Sequence, residues 1–174
     1  MNQVNCKNLT PNWIEIKWIF EPDGSLRDIY VEKVTIEDWK ILIEFLNDNY
    51  SIKFGPTAEN NFENKINSAY VTELLNGESK EMECRTASIL IDQIIINTHF
   101  FYSEQIEFDV DPREINNSLD YDKIINFMFE ISKNLNKQVI LAGENQIELP
   151  LIKVDFTTNS VEALTKKEVE KLRE

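Results

Sequence analysis

The stretch Ile89–Asp111 (ILIDQIIINTHFFYSEQIEFDVD) constrains the fold more than any other part of this chain. It is the most apolar and β-branched run, and such side chains fit a pleated, half-buried surface. Ile89–Ile91 and Ile94–Phe101 are predicted strands, with Asp92-Gln93 as a tight turn between them. Tyr102–Gln105 makes the next turn. From Ile106 to Asp111 the residues alternate strictly. Ile106, Phe108 and Val110 share one face; Glu107, Asp109 and Asp111 share the other. Pro112 ends this strand because it has no ladder donor. Strands with one apolar face must bury that face against another layer.

The flanking sequence supplies that layer and further strands. Ile14, Ile16, Trp18 and Phe20 alternate with Glu15, Lys17 and Ile19, which predicts a strand. Glu21–Ser25 is a turn, and Leu26–Val31 completes a β-hairpin. Thr35, answered by Asp38, marks a helix start as a capping-box variant. Trp39, Leu42, Ile43 and Leu46 form its apolar stripe. Tyr50–Phe54 returns as a strand. Residues 57–83 show only partial helical spacing, with Gly77 placed to end a helix and a charged connection after it. A second principal helix is predicted over 119–135, capped by Ser118 or Asp120, with Ile124, Phe127, Met128, Ile131 and Leu135 as its stripe. Val139–Leu141 and Leu149–Phe156 are strands, the latter put at a sheet edge by Pro150. Ser160–Glu174 has helical propensity with few apolar residues.

The class these elements predict is α+β: a mainly antiparallel sheet with two principal helices packed on one face, and a faint echo of ββαβ-like halves. Residues 1–156 form one domain in this reading, and 157–174 a partly docked helical tail. A chain of 174 residues suits a single core.

The charge narrows the partners. With 31 acidic and 18 basic residues, the formal charge is −13. Nucleic acid and anionic membranes both need cationic surface, so neither is an expected partner. A basic protein is favoured, because opposite charge speeds encounter. The start of the chain, MNQVNCKNLTPNW, has no charged segment followed by an apolar one, and no apolar run reaches the roughly 18 residues of a membrane span. The expected compartment is the cytoplasm. Cys6 and Cys84 lie far apart and outside any CxxC spacing, so neither a zinc site nor a redox pair is expected.

No catalytic motif emerges. There is no nucleophile elbow, Walker loop, dinucleotide fingerprint or HExxH. His99 is the only histidine, and a lone histidine in an apolar strand is expected to be structural. The chain therefore reads as a non-enzymatic protein with no cofactor and no metal. A small enzyme relying on carboxylates, or a structural or regulatory module, is the alternative. The row Glu107, Asp109 and Asp111 is the sharpest candidate surface. Same-face residues lie about 7 Å apart, so all three can meet one partner. The row suits a solvated, aggregation-resistant face, a docking ridge for a basic protein, or less well a hard-cation site, since calcium wants clustered oxygens from a loop. Trp13 is either an exposed interface anchor or an aromatic covering the core.

Three segments carry a resemblance: WIEIKW.F..DGSLRDIYV....IEDW at Trp13–Trp39, HFF....IEFDVDPREI at His99–Ile115, and LNKQVILAGEN at Leu135–Asn145. Together they resemble a family of small, uncharacterised acidic bacterial proteins. Those look similar in size, acidity and layout to immunity proteins, which neutralise toxins of bacterial competition systems. The resemblance implies a partner such as a basic toxin domain, and carries no site residue with it.

Overall fold

Alternation along the strands decides which side of this protein is covered by helices. The computed structural model describes residues 11–56, 61–77 and 83–172. Among them the chain runs α1 (Trp13–Ile16), a 3-10 turn (Lys17–Phe20), β1 (Arg27–Glu32), α2 (Ile36–Asn49), β2 (Ser51–Pro56) and α3 (Ser68–Asn76). It continues through β3 (Arg85–Ile91), β4 (Ile94–Thr98), β5 (Gln105–Val110), a 3-10 turn (Pro112–Glu114) and α4 (Ser118–Leu135). It closes with β6 (Val139–Gly143), β7 (Pro150–Asp155), β8 (Ser160–Ala163) and α5 (Lys166–Leu172). The strands form one sheet in the order β2-β3-β4-β5-β1-β6-β7-β8. Every neighbouring pair is antiparallel. The fold is thus α+β with an antiparallel sheet, as the sequence predicts.

The two principal helices form where local chemistry requires them. Thr35 accepts from the Asp38 amide at 3.2 Å, and the Asp38 carboxylate accepts from the Thr35 amide at 2.8 Å. This reciprocal pair satisfies two of the free donors at the start of α2. Trp39, Leu42, Ile43 and Leu46 are buried on its inner side. At α4 the cap is Asn117, whose side chain accepts from the Leu119 and Asp120 amides. It is neither Ser118 nor Asp120, because Asp120 is buried and engaged elsewhere. Its carboxylate accepts from Gln93 Nε2 at 2.6 Å and Asn117 Nδ2 at 2.7 Å, tying the β3–β4 turn to the helix start.

Both helices lie over the same face of the sheet. Ile29, Val31, Ile89, Ile96, Ile106, Phe108, Val110, Leu141 and Ile152 join Leu42, Ile43, Ile124, Phe127 and Ile131 in one core. A second, small cluster of Tyr30, Ile140 and Ala142, with Ile147 beside it, belongs to the opposite face. No described helix contributes to it. The β6–β7 turn folds over the middle of that face and buries Asp28, Tyr30, Ile140 and Ala142, while the part over β4 and β5 stays half-exposed.

Three expectations are corrected. Residues 14–20 are helical, not a hairpin strand. Asn12 caps the turn by accepting from the Ile14 amide, and the buried residues Ile16, Ile19 and Phe20 follow helical spacing, leaving Ile14 72% exposed. Buried Arg27 fixes the end of this segment by donating to the Ile19 carbonyl at 2.6 Å and the Glu21 carbonyl at 3.0 Å. Strand β1 consequently pairs with β5 and β6 at the centre of the sheet. Strand β7 is not the edge either: Ser160–Ala163, expected to be helical, forms β8 and covers it. The sheet therefore extends beyond residue 156, and only Lys166–Leu172 keeps the helix expected of the tail. Residues 57–60, most of the charged connection over 78–83, and Cys6 fall outside the described residues.

Candidate docking face

The open face is built by residues of opposite parity to the core. On β1 it carries Asp28, Tyr30 and Glu32; on β5, Glu107 and Asp109; on β4, Asn97. The antiparallel register places Asp28 directly opposite Asp109, and Tyr30 opposite Glu107. Asn97 lies opposite Asp109 on its other side. Three carboxylates from two central strands thus converge. Like charges directly opposite destabilise an antiparallel pair.

Each aspartate is held by separate donors. The Asp28 carboxylate, 3% exposed, accepts from the Tyr30 hydroxyl at 2.7 Å and from the Asn145 amide at 2.7 Å. Asn145 stands in the β6–β7 turn in the left-handed region, at φ 56°, and this turn delivers its amide over the sheet. Asp109 accepts from Asn97 Nδ2 at 3.0 Å and bonds His99 Nε2 at 2.7 Å. His99 Nδ1 in turn meets the Thr86 hydroxyl at 3.1 Å. The Glu107 side chain makes no hydrogen bond or close ion pair with a described residue, though the His99 charge favours its ionised form, and no lysine or arginine among them pairs with any of the three carboxylates.

The electrostatics follow from this crowding. Burial raises the Asp28 carboxyl above its ordinary value, against the bonds from Asn145 and Tyr30, with the charges of Asp109 and Glu144 adding to the rise. Burial also raises Glu107, helped by the charge of Asp28. The bond to Asp109 raises His99 against the effect of burial. Tyr30 is raised by burial and by its bond to Asp28, so it stays a donor.

One end of the face carries an aromatic tip. Phe101 and Tyr102 are 58% and 59% exposed. The Phe101 ring stacks on His99 at 5.3 Å, making a continuous path from tip to carboxylates. Phe100 produces this arrangement. Its φ of 55° is in the left-handed region, which is disfavoured for a bulky residue. That twist turns Phe100 inward against Trp39 and Phe54 while the next two rings point outward. Trp39 Nε1 donates to the Tyr102 carbonyl at 3.2 Å and pins the loop. Further along the face, a hollow of about 290 Å³ is lined by Tyr30, Glu32, Lys33, Lys137, Gln138 and Ile140.

The residues singled out by sequence divide into two pairs. Glu107 and Asp109 stand on the open face. Asp111 lies past the end of β5, where it caps the 3-10 turn through the Arg113 amide at 2.9 Å and holds the Arg113 guanidinium at 2.5 Å. Arg113 lowers the Asp111 carboxyl and neutralises it. Trp13 is half-buried, stacked on Phe20 at 6.1 Å and packed against Tyr121 at 6.0 Å, so it covers the core. His99, expected in the apolar strand interior, follows β4 and faces the carboxylates. Asp28, Tyr30, Phe101 and Tyr102 were not singled out from sequence. The Asp28–Tyr30–Glu32 alternation was the available signal, but only strand pairing reveals its neighbours.

Comparison of the chain with protein-family models, curated proteins and solved structures finds no match. Among the described residues no group of three or more His, Cys, Asp or Glu side chains is arranged to hold a metal ion, and no helix is long and apolar enough to cross a membrane.

Proposed function

We propose that this chain is a non-enzymatic, cytoplasmic binding protein of the immunity type, which neutralises a basic partner such as a toxin domain by docking it on the open sheet face. The observation that carries this reading is the junction of three carboxylates, none paired with a lysine or arginine among the described residues and only Asp109 bonded to a histidine, with an exposed aromatic pair. Charge of one sign steers an oppositely charged partner and selects it. Exposed aromatic side chains supply the buried area that dominates interface affinity. The net charge of −13 acts in the same direction at long range.

A carboxylate enzyme is the second reading. It is favoured by the raised Asp28 and Glu107 carboxyls and by the Thr86–His99–Asp109 chain of bonds, because acid–base catalysis uses shifted groups. Asp28 is buried and Glu107 and Asp109 are half-buried, but the carboxylates line no cavity among the described residues that would enclose a substrate, whereas catalysis gains from excluding water. Docking is therefore preferred.

The test is co-expression with the product of the gene directly upstream, if that product is basic and arrests growth. The wild-type chain restores growth. A folded Glu107→Lys/Asp109→Lys variant fails to restore it. Full protection by that variant rejects the face, and an upstream neighbour that is never a toxin across many genomes rejects the immunity reading.

A further inference from the structure

The hollow beside Tyr30 has walls of a different chemistry from the carboxylate cluster. Tyr30 and Ile140 sit opposite each other on β1 and β6, and both are buried, so they give it an apolar floor. Its rim is charged. Glu32 and Lys33 stand together at the end of β1, and their side chains bond no described residue. Lys137 joins them from the connection between α4 and β6, where its 3.7 Å pair with Asp38 leaves it 29% exposed. Two lysines thus meet at one hollow in a chain with 31 acidic and only 18 basic residues.

Both lysines start from fixed backbone. Lys33 lies in the left-handed region, at φ 56°, which is uncommon for a residue other than glycine. The next amide, Val34, donates to the Glu104 carbonyl at 3.0 Å and holds that turn. Lys137 follows the left-handed cap Asn136. Its amide donates to the Ser132 carbonyl at 3.2 Å, and its carbonyl accepts from the Ser132 hydroxyl at 2.6 Å. The points from which the two cations reach the hollow are therefore set in the free protein, and a site so prepared loses less on binding.

These walls ask three things of one ligand: an anion for the lysines, a cation for Glu32, and an aliphatic body for the floor. A simple anion meets Glu32 as a like charge, and a simple amine meets the two lysines as one. A zwitterion satisfies both. We propose that the hollow binds an α-amino acid with an aliphatic side chain, its carboxylate toward Lys33 and Lys137, its ammonium toward Glu32 and its side chain on Tyr30 and Ile140. The volume of about 290 Å³ lies at the small end of ligand sites, and a few placed polar groups around an apolar surface are how such sites fix orientation. The inference goes beyond the docking reading, since neither Glu107, Asp109, Phe101 nor Tyr102 lines the hollow.

The probe is L-leucine, titrated into the full chain and followed by NMR. Isocaproate, which lacks the ammonium, isoamylamine, which lacks the carboxylate, and inorganic phosphate are parallel arms. The expected result is saturable shifts at Tyr30, Lys33, Gln138 and Ile140, with each single-charge analogue roughly threefold weaker than leucine, as one exposed ion pair implies. Lys33→Gln weakens leucine and isocaproate but not isoamylamine, and Glu32→Gln weakens leucine and isoamylamine but not isocaproate. Both side chains are exposed, so both variants keep the fold. Leucine without saturable shifts at these residues overturns the proposal. Isocaproate or phosphate binding as tightly as leucine also overturns it, in favour of a plain anion site. Docking is read by growth protection and this site by leucine binding, so either can fail alone.

Discussion

Strand β5 has two faces with opposite duties. Ile106, Phe108 and Val110 are fully buried under the helices, while Glu107 and Asp109 between them look onto an open face. The same backbone, register and neighbours serve both. The inner face gains stability by removing apolar surface from water, whereas the outer face places like charges opposite one another at a cost. The contrast teaches that the inner residues hold the fold by packing, while on the outer face Asp28 and Asp109 are held by hydrogen bonds and the Glu107 side chain has no described partner.

Substitutions on the two faces can break that contrast. Phe108→Ala opens a cavity beside Phe127, which packs edge-on at 5.3 Å, and is expected to cost about 3–5 kcal/mol in a denaturant titration. A loss under about 1 kcal/mol would show that the inner face is not the core. Asp109→Ala, one position away, removes the acceptor of Asn97 and His99 and is expected to cost about 1–2 kcal/mol. It also returns the His99 pKa towards 6.5, measurable by NMR titration of the ring protons.

The pH dependence sharpens the same comparison. His99 is raised when folded, so its contribution is complete below pH 6.5 and is lost as pH rises through the folded value. Asp28 and Glu107 are raised carboxyls. Their ionisation costs stability, beginning as pH rises past 3.8 and 4.5 and complete above the folded values. All three make the outer face less favourable as pH rises. The wild type is therefore expected to lose more stability between pH 5 and 8 than Asp109→Asn, compared by urea midpoints; parallel profiles would reject the assignment.

Smaller effects complete the series. Glu107→Gln relieves like-charge repulsion, and is expected to leave the melting temperature unchanged or raise it by about 1–3 °C. A clear fall would mean that Glu107 has a structural partner. Phe101→Ser is expected to change stability by no more than about 0.5 kcal/mol, since the ring is mostly exposed, while weakening partner binding.

Much of the fold was legible because its signals are local. The Thr35–Asp38 box, the α4 stripe, the Asp92-Gln93 turn and the β5 alternation each depend on residues a few positions apart. The misreadings arose where two local patterns fit one segment. Residues 14–20 satisfy strand alternation, yet the Asn12 cap and Arg27 select a helix. Ser160–Ala163 has helical propensity, yet pairing with β7 wins. Tertiary contacts override propensity in such short segments. Of the proposed surface residues, Glu107 and Asp109 were visible as alternation, while Asp111 and Trp13 depend on partners, Arg113 and Tyr121, that no spacing rule names.

The sequence by itself determined the α+β class, the two principal helices, the parity that separates core from charge on β5, and the acidic balance. These follow from periodicity, capping and composition, which act over short range or over the whole chain. Only the tertiary structure decided that β1 lies beside β5, that Asp28 opposes Asp109, and that Phe101 stacks on the histidine bonded to it. Pairing between strands distant in sequence depends on how the inner face packs beneath the helices. The open face takes its arrangement from that packing, because side chains of the other parity are carried wherever the core sets the register.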